Sequence, residues 1–186
     1  MLHKPFVEKP RDADDHHVRI YRANGTCREL FRKTHNKVGE ELDVVRGVRR
    51  DGCYLYEQFI ETNGTDVKLF YVCNDVDDND NDLCIAETRP APSTGALSLQ
   101  RDSGTGKQIR QQVDVLDDEL TAARRIAAAL KHRAFGFDVL RTTENDKIYV
   151  CDVNGWSHVI NDAYIQRFVD MLLAICYCTL ENDDSP

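Results

Sequence analysis

Several things are missing from this sequence, and each absence narrows what the chain can be. No apolar run approaches the length of a bilayer-crossing helix, which excludes a helical membrane protein. The opening stretch MLHKPFVEKPRDADD has no apolar core of a secretory signal, so the expected location is the cytosol. No CxxC pair occurs among the seven cysteines (27, 53, 73, 84, 151, 176 and 178), and their number is odd. Most lie in apolar contexts and are expected to be reduced core thiols, not a disulfide set or a zinc site. Positive charge is also scarce. With 24 Lys and Arg against 32 Asp and Glu the formal net charge is −8, which argues against broad nucleic-acid binding, since that wants a basic surface. There is no internal repeat.

What is present is enough apolar residue, 41% of 186, to bury a real core. The charge is uneven. Acid concentrates in NDVDDNDND (74–82), DVLDDE (114–119) and the tail ENDDSP, whereas base gathers in RELFRK (28–33) and RGVRR (46–50). An acidic protein with a local basic cluster suits a small polyanionic ligand better than a long one. The run DVDDNDNDL (75–83) fails as a calcium loop, because Asp80 stands where the turn needs Gly and Ala86 where a bidentate Glu is needed. It reads as an acidic loop insertion.

Periodicity supplies a coarse map. HKPFVEKP reads as a strand ending at Pro10, and 17–33 as a hairpin about Ala-Asn-Gly-Thr. Residues 34–50 read as loop. YLYEQFI (54–60) reads as a buried strand, and DVKLFYVC (66–73) as a strand forming a second hairpin with it. Most of 74–112 is turn-rich, broken by CIAET (84–88). Residues 117–133 predict an amphipathic helix with Leu120, Ala123, Ala127 and Leu130 on one face, acidic at its start and basic at its end. Strands at 135–141 and 147–153 and a helix over about 162–180 follow. Strands, helix, hairpin, helix indicate an α+β layer of mostly antiparallel sheet packed with helices.

Two of these strands carry acid within apolar runs: Asp138 in GFDVLR and Asp152 in YVCDVNGWS. Strand alternation puts Ile148, Val150, Asp152 and Asn154 on one face. A three-residue loop, END (144–146), sets Thr143 opposite Lys147, and counting back sets Asp138 opposite Asp152 and Gly136 opposite Asn154. Facing carboxylates repel unless a cation sits between them. Oxygen ligands with an incomplete shell suit Mg²⁺, which takes its remaining oxygens from water and substrate phosphate. Alternatively, the two aspartates cap turns or pair with Arg141 or Lys147.

The stretches KPFVEKP, DDHHVRIYR, RELFRK, YLYEQFIETNGTDVKLFYV, AETR, GFDVLR and YVCDVNGWS resemble, in order, the kinase domain of the diphosphoinositol-pentakisphosphate kinases. They cover most of residues 4–160. The resemblance implies the C-terminal portion of an ATP-grasp fold over residues 1–181, with 182–186 as an acidic tail. It implies ATP and Mg²⁺ as cofactors and inositol phosphates as partners. By the same resemblance Asp138, Asp152 and Asn154 hold the metal. Lys9 and His16 contact nucleotide phosphate. Glu57, Gln58, Phe59 and Ile60 form the adenine hinge, with apolar surface from Tyr56, and Asp66 reaches the ribose. Arg32, Lys33, Lys68 and Arg89 contact substrate and the γ-phosphate, and Ser157 contacts substrate.

Three departures stand out. Gln58 replaces the second acid of the family's hinge, Ile160 stands where the family has lysine, and the acidic run lengthens one loop. The family's opening α/β subdomain and its phosphatase-like C-terminal domain have no counterpart here, so a fragment, a partial gene model or a cut-down relative is expected. The expected activity is transfer of the γ-phosphoryl of MgATP to a phosphate of inositol hexakisphosphate or 5-diphosphoinositol pentakisphosphate. The alternative is a non-catalytic remnant that binds nucleotide or inositol phosphate without turnover. An ATP-grasp carboxylate ligase is a third reading, against which the dense cationic set argues.

Overall fold

The computed structural model describes residues 3–12, 15, 17–30, 40–45, 47–73, 82–91, 110–143, 147–156 and 162–183. The chain divides into two compact units, Met1–Thr65 with Pro90–Ile109, and Asp66–Arg89 with Arg110–Pro186.

The first unit holds strands β1 (Phe6–Pro10), β2 (Val18–Tyr21), β3 (Cys27–Leu30), β4 (Glu40–Leu42) and β5 (Tyr54–Gln58), in the sheet order β4-β3-β2-β1-β5. The expected hairpin forms, with Tyr21 opposite Cys27 and Gly25 at φ 91 in the turn, a backbone region open to glycine. One face buries Phe6, Tyr21 and Cys27 with Tyr56, Leu42 and Val45. The fully buried Glu8 sits on that face. Arg49 Nε donates to it at 2.6 Å and the Arg49 backbone N–H at 3.1 Å. Two expectations change. Residues 40–42, expected as loop, form β4. β5 is only half-buried and pairs with β1, so the expected hairpin between 54–60 and 66–73 does not form.

The second unit holds β6 (Thr65–Val72), β7 (Leu83–Pro90), β8 (Gln111–Val113), β9 (Ala134–Arg141) and β10 (Ile148–Asn154), in the order β10-β9-β6-β7-β8, with helices α1 (Asp117–Leu130) and α2 (Asp162–Asp183). Every pairing with a described register in either sheet is antiparallel, giving an α+β architecture. Alternation sorts the strands cleanly. Val67, Leu69, Tyr71, Phe135, Phe137 and Val139 pack with Ala123 and Ala127 of α1. Phe70, Val72 and Ile85, on the opposite face, pack with Tyr164 and Met171 of α2. Phe137 is wholly buried, and burying such a ring is worth about 1.5–3 kcal/mol.

α1 ends three residues earlier than its sequence pattern suggests. Lys131 adopts a left-handed φ of 55 and its N–H caps Ala127 O, so Leu130 is 49% exposed and no basic residue lies in the last turn. At the other end Glu119 reaches back to the Leu116 N–H at 3.0 Å.

The thiols also divide. Cys27 and Cys73 are buried and Cys84 partly so, but Cys53, Cys151 and Cys176 are exposed, so half of the six described are not core thiols. All six are free. Among the described residues no helix is long and apolar enough to cross a membrane.

Candidate active site

Pairing in the second sheet places Lys68 opposite Asp138 and Asp138 opposite Asp152, so three chemistry-bearing side chains lie in a row across β6, β9 and β10. Gly136 faces Asn154 one step on. The acid pair is where the sequence put it, by a different route. At the turn Arg141 faces Ile148 and Thr142 N–H donates to Lys147 O at 3.0 Å, one residue out of the expected register. A β-bulge between Val150 and Asp152 then restores it. Ile148 and Val150 therefore share the face of Val139 and Arg141, and only Asp152 and Asn154 join Asp138. The bulged Cys151 thiol donates to the Asp138 carbonyl at 3.4 Å.

Two cations converge on Asp138. Lys68 Nζ lies 3.6 Å from Oδ1, and Arg89 Nη2 donates to Oδ2 at 3.4 Å. Arg89 Nη2 also lies 3.9 Å from Asp66 Oδ2. Burial pushes the Asp66 carboxyl above its ordinary value; Arg89 opposes that shift and Asp138 adds to it. Asp138 Oδ1 and Arg89 Nε are buried without a hydrogen-bond partner. Asp152 is exposed and accepts a bond from Asn154 Nδ2 at 2.9 Å. A Cβ added at Gly136 would lie 3.4 Å from Leu69 O, 3.6 Å from Phe70 Cδ1 and 3.7 Å from Lys68 Cε, all ordinary contacts.

The suggested pairing of these aspartates with Arg141 is not what forms. Arg141 lies on the other face and grips the fully buried Glu119 with bonds of 2.7 and 2.8 Å. Asp138 instead takes its cations from the very residues expected to hold phosphate. Nothing in the spacing of Lys68, Arg89 and Asp138 announces that. Among the described residues no three His, Cys, Asp or Glu side chains form a metal cluster; the set here is two carboxylates and an amide.

The remaining expected nucleotide contacts belong to the first unit. Lys9 Nζ pairs with Glu57 Oε2 at 2.5 Å. Gln58 is exposed, Phe59 and Ile60 are half-buried, and the Phe59 N–H donates to Pro5 O at 3.4 Å. The Tyr56 side chain packs edge-on to Phe6, on the face opposite the Glu57 side chain. His16, Arg32, Lys33, Ser157 and Ile160 lie outside the described residues.

No family model matches the chain. It is 41% identical over 161 residues to the Arabidopsis thaliana protein named inositol hexakisphosphate and diphosphoinositol-pentakisphosphate kinase VIP1, which covers 85% of this chain. It is 38% identical over 174 residues to the Saccharomyces cerevisiae inositol hexakisphosphate and diphosphoinositol-pentakisphosphate kinase, covering 91% of this chain. The chain is a relative of one segment of these kinases. It spans 14% of the length of each of the two. A solved structure of the ATP-grasp ligase PsnB with a variant precursor, Mg and ADP overlaps 87% of this chain and 41% of its own. Its TM-score of 0.45 at 11% identity is too low to assign a fold.

Proposed function

We propose that this chain is the catalytic segment of an ATP-dependent kinase that transfers the γ-phosphoryl of MgATP to a phosphate of inositol hexakisphosphate or 5-diphosphoinositol pentakisphosphate, giving an inositol pyrophosphate. The observation that carries this reading is 41% identity over 85% of the chain to a protein named for that activity. In this reading residues 1–181 form part of an ATP-grasp kinase domain and 182–186 an acidic tail. We place it in the cytosol, where thiols stay reduced; that none of the six described cysteines is in a disulfide supports that setting.

The residues present fit Mg²⁺. The donors are oxygens only, Asp138 and Asp152 face each other, and Asp138 Oδ1 is buried with no hydrogen bond to satisfy it. Asp138, Asp152 and Asn154 would hold the ion, which when bound offsets charge on the nucleotide phosphates. Lys68 and Arg89 supply positive charge at the transferred group, with Arg32, Lys33 and Ser157 as further contacts to the inositol phosphate. Lys9 and His16 would meet nucleotide phosphate. The backbone around Glu57, Gln58, Phe59 and Ile60 would read adenine, and Asp66 the ribose. The acceptor is an anionic phosphate oxygen, so no general base has to activate it. Positioning and charge neutralisation suffice.

The test is direct. Protein incubated with MgATP and inositol hexakisphosphate forms ADP and a product carrying one diphosphate group. Asp152→Ala lowers that rate by about 100-fold or more, the usual scale for removing a charge-stabilising group, with an unchanged melting temperature. Full turnover in the variant would overturn the metal-site assignment.

A further inference from the structure

The Asp138 carboxylate is held by the two side chains that the proposed reaction needs for phosphate. Both contacts, 3.6 Å from Lys68 and 3.4 Å from Arg89, are long. Charge-assisted N–H···O bonds run about 2.7–2.9 Å. Asp138 Oδ1 and Arg89 Nε are buried, yet neither is hydrogen-bonded. The side chain of Lys68 is 11% exposed and that of Asp138 14%, against 27% for Arg89, so water screens the Lys68–Asp138 contact only weakly. Charge closes this cluster, but hydrogen bonds do not complete it. Better partners for either sign would open it.

We propose that Asp138 competes with the anionic ligand for Lys68 and Arg89. The carboxylate occupies both cations until a divalent ion takes it, and only then do the two side chains receive the phosphates of a polyphosphorylated ligand. The identity of that ligand rests on the kinase reading; the competition itself rests on the geometry alone. By linkage, an ion at Asp138 and a polyanion at Lys68 and Arg89 then strengthen each other by the same factor. Asp66 keeps a share of Arg89 throughout, 3.9 Å away, so the guanidinium stays aimed at the cluster after Asp138 lets go.

Asp152 provides the internal control. It faces Asp138 across the strand pair, but its carboxylate is exposed and its bond is to the Asn154 amide at 2.9 Å. Asp138→Asn and Asp152→Asn each remove one negative charge from nearly the same place. A diffuse field effect treats them alike. Competition for the two cations singles out Asp138.

Two readouts on the whole chain test this. The first is acetylation of Lys68 by acetic anhydride in chelator, followed by peptide mass spectrometry. Asp138→Asn raises the rate about fivefold over wild type, the lower end of ordinary couplings between sites, and Asp152→Asn leaves it unchanged. Mg²⁺ added to the wild-type protein raises it too, an arm that needs no variant. The second is calorimetric binding of inositol hexakisphosphate without metal, about fivefold tighter in Asp138→Asn and unaltered in Asp152→Asn. The proposal is overturned if Lys68 labelling stays flat in Asp138→Asn and with Mg²⁺, or rises equally in Asp152→Asn. Labelling that follows the expected pattern, while inositol hexakisphosphate binds none of the three proteins either without metal or with Mg²⁺ and ATP present, upholds the competition and removes the kinase reading.

Discussion

Strand β9 carries two carboxylate–cation sites on its opposite faces, and they are built to different ends. On the α1 side Glu119 is fully buried and takes three donors: Arg141 Nε at 2.7 Å, Arg141 Nη2 at 2.8 Å and the Leu116 N–H at 3.0 Å. Both oxygens are satisfied, and the pair ties the helix start to the sheet. On the α2 side Asp138 has two cations beyond 3.3 Å, and one of its oxygens is buried without a bond. A buried charge is tolerable when hydrogen bonds surround it and costly when they do not. The first site is finished within the chain. The second is left incomplete, in keeping with the phosphate and metal site proposed there.

That contrast can be broken from the larger effect downward. Arg141→Ala strips the finished pair of its cation and leaves Glu119 charged in the core, so urea unfolding shows a loss of about 3–5 kcal/mol. The isosteric amides sharpen the comparison. Glu119→Gln loses about 2 kcal/mol of charge-assisted bonding, whereas Asp138→Asn shifts stability by under about 0.5 kcal/mol. Equal losses would erase the distinction between the two faces. The mildest probe leaves the fold intact. Burial pushes the Cys27 thiol from 9.0 to about 11 and the Cys84 thiol to about 12. At pH 8 iodoacetamide therefore alkylates the exposed Cys53, Cys151 and Cys176 and spares Cys27 and Cys84, as peptide mapping would report. Because those two thiols are raised, the stability they contribute is complete below pH 9 and fades as the pH climbs through about 11 and about 12.

Hydrophobic periodicity made much of this legible. It found the first hairpin, the β9 and β10 strands and both helices, and it grouped Asp66 with Lys68. It could not say which partner a strand takes. Neighbours in sequence pair only about two-thirds of the time, and β5 and β6 are an exception. β4 was hidden because three residues of mostly charged strand carry no apolar rhythm. The buried partnerships of Glu8 with Arg49 and Glu119 with Arg141 span 41 and 22 positions, beyond the reach of local pattern. The acid pair was inferred through a turn one residue too short, and the unforeseen bulge cancelled that error.

The bulge has a wider consequence. Cys151 absorbs one residue of phase between the turn and the aspartates, so the facing of Asp138 and Asp152 is set by the bulge as well as by the hairpin tip. The tip can change sequence or rigidity while the two acids keep facing each other. A design that kept every residue but regularised the strand from the tip onward would pair Asp152 with Phe137, on the face of Val139 and Arg141, and take it away from Asp138 without changing either aspartate.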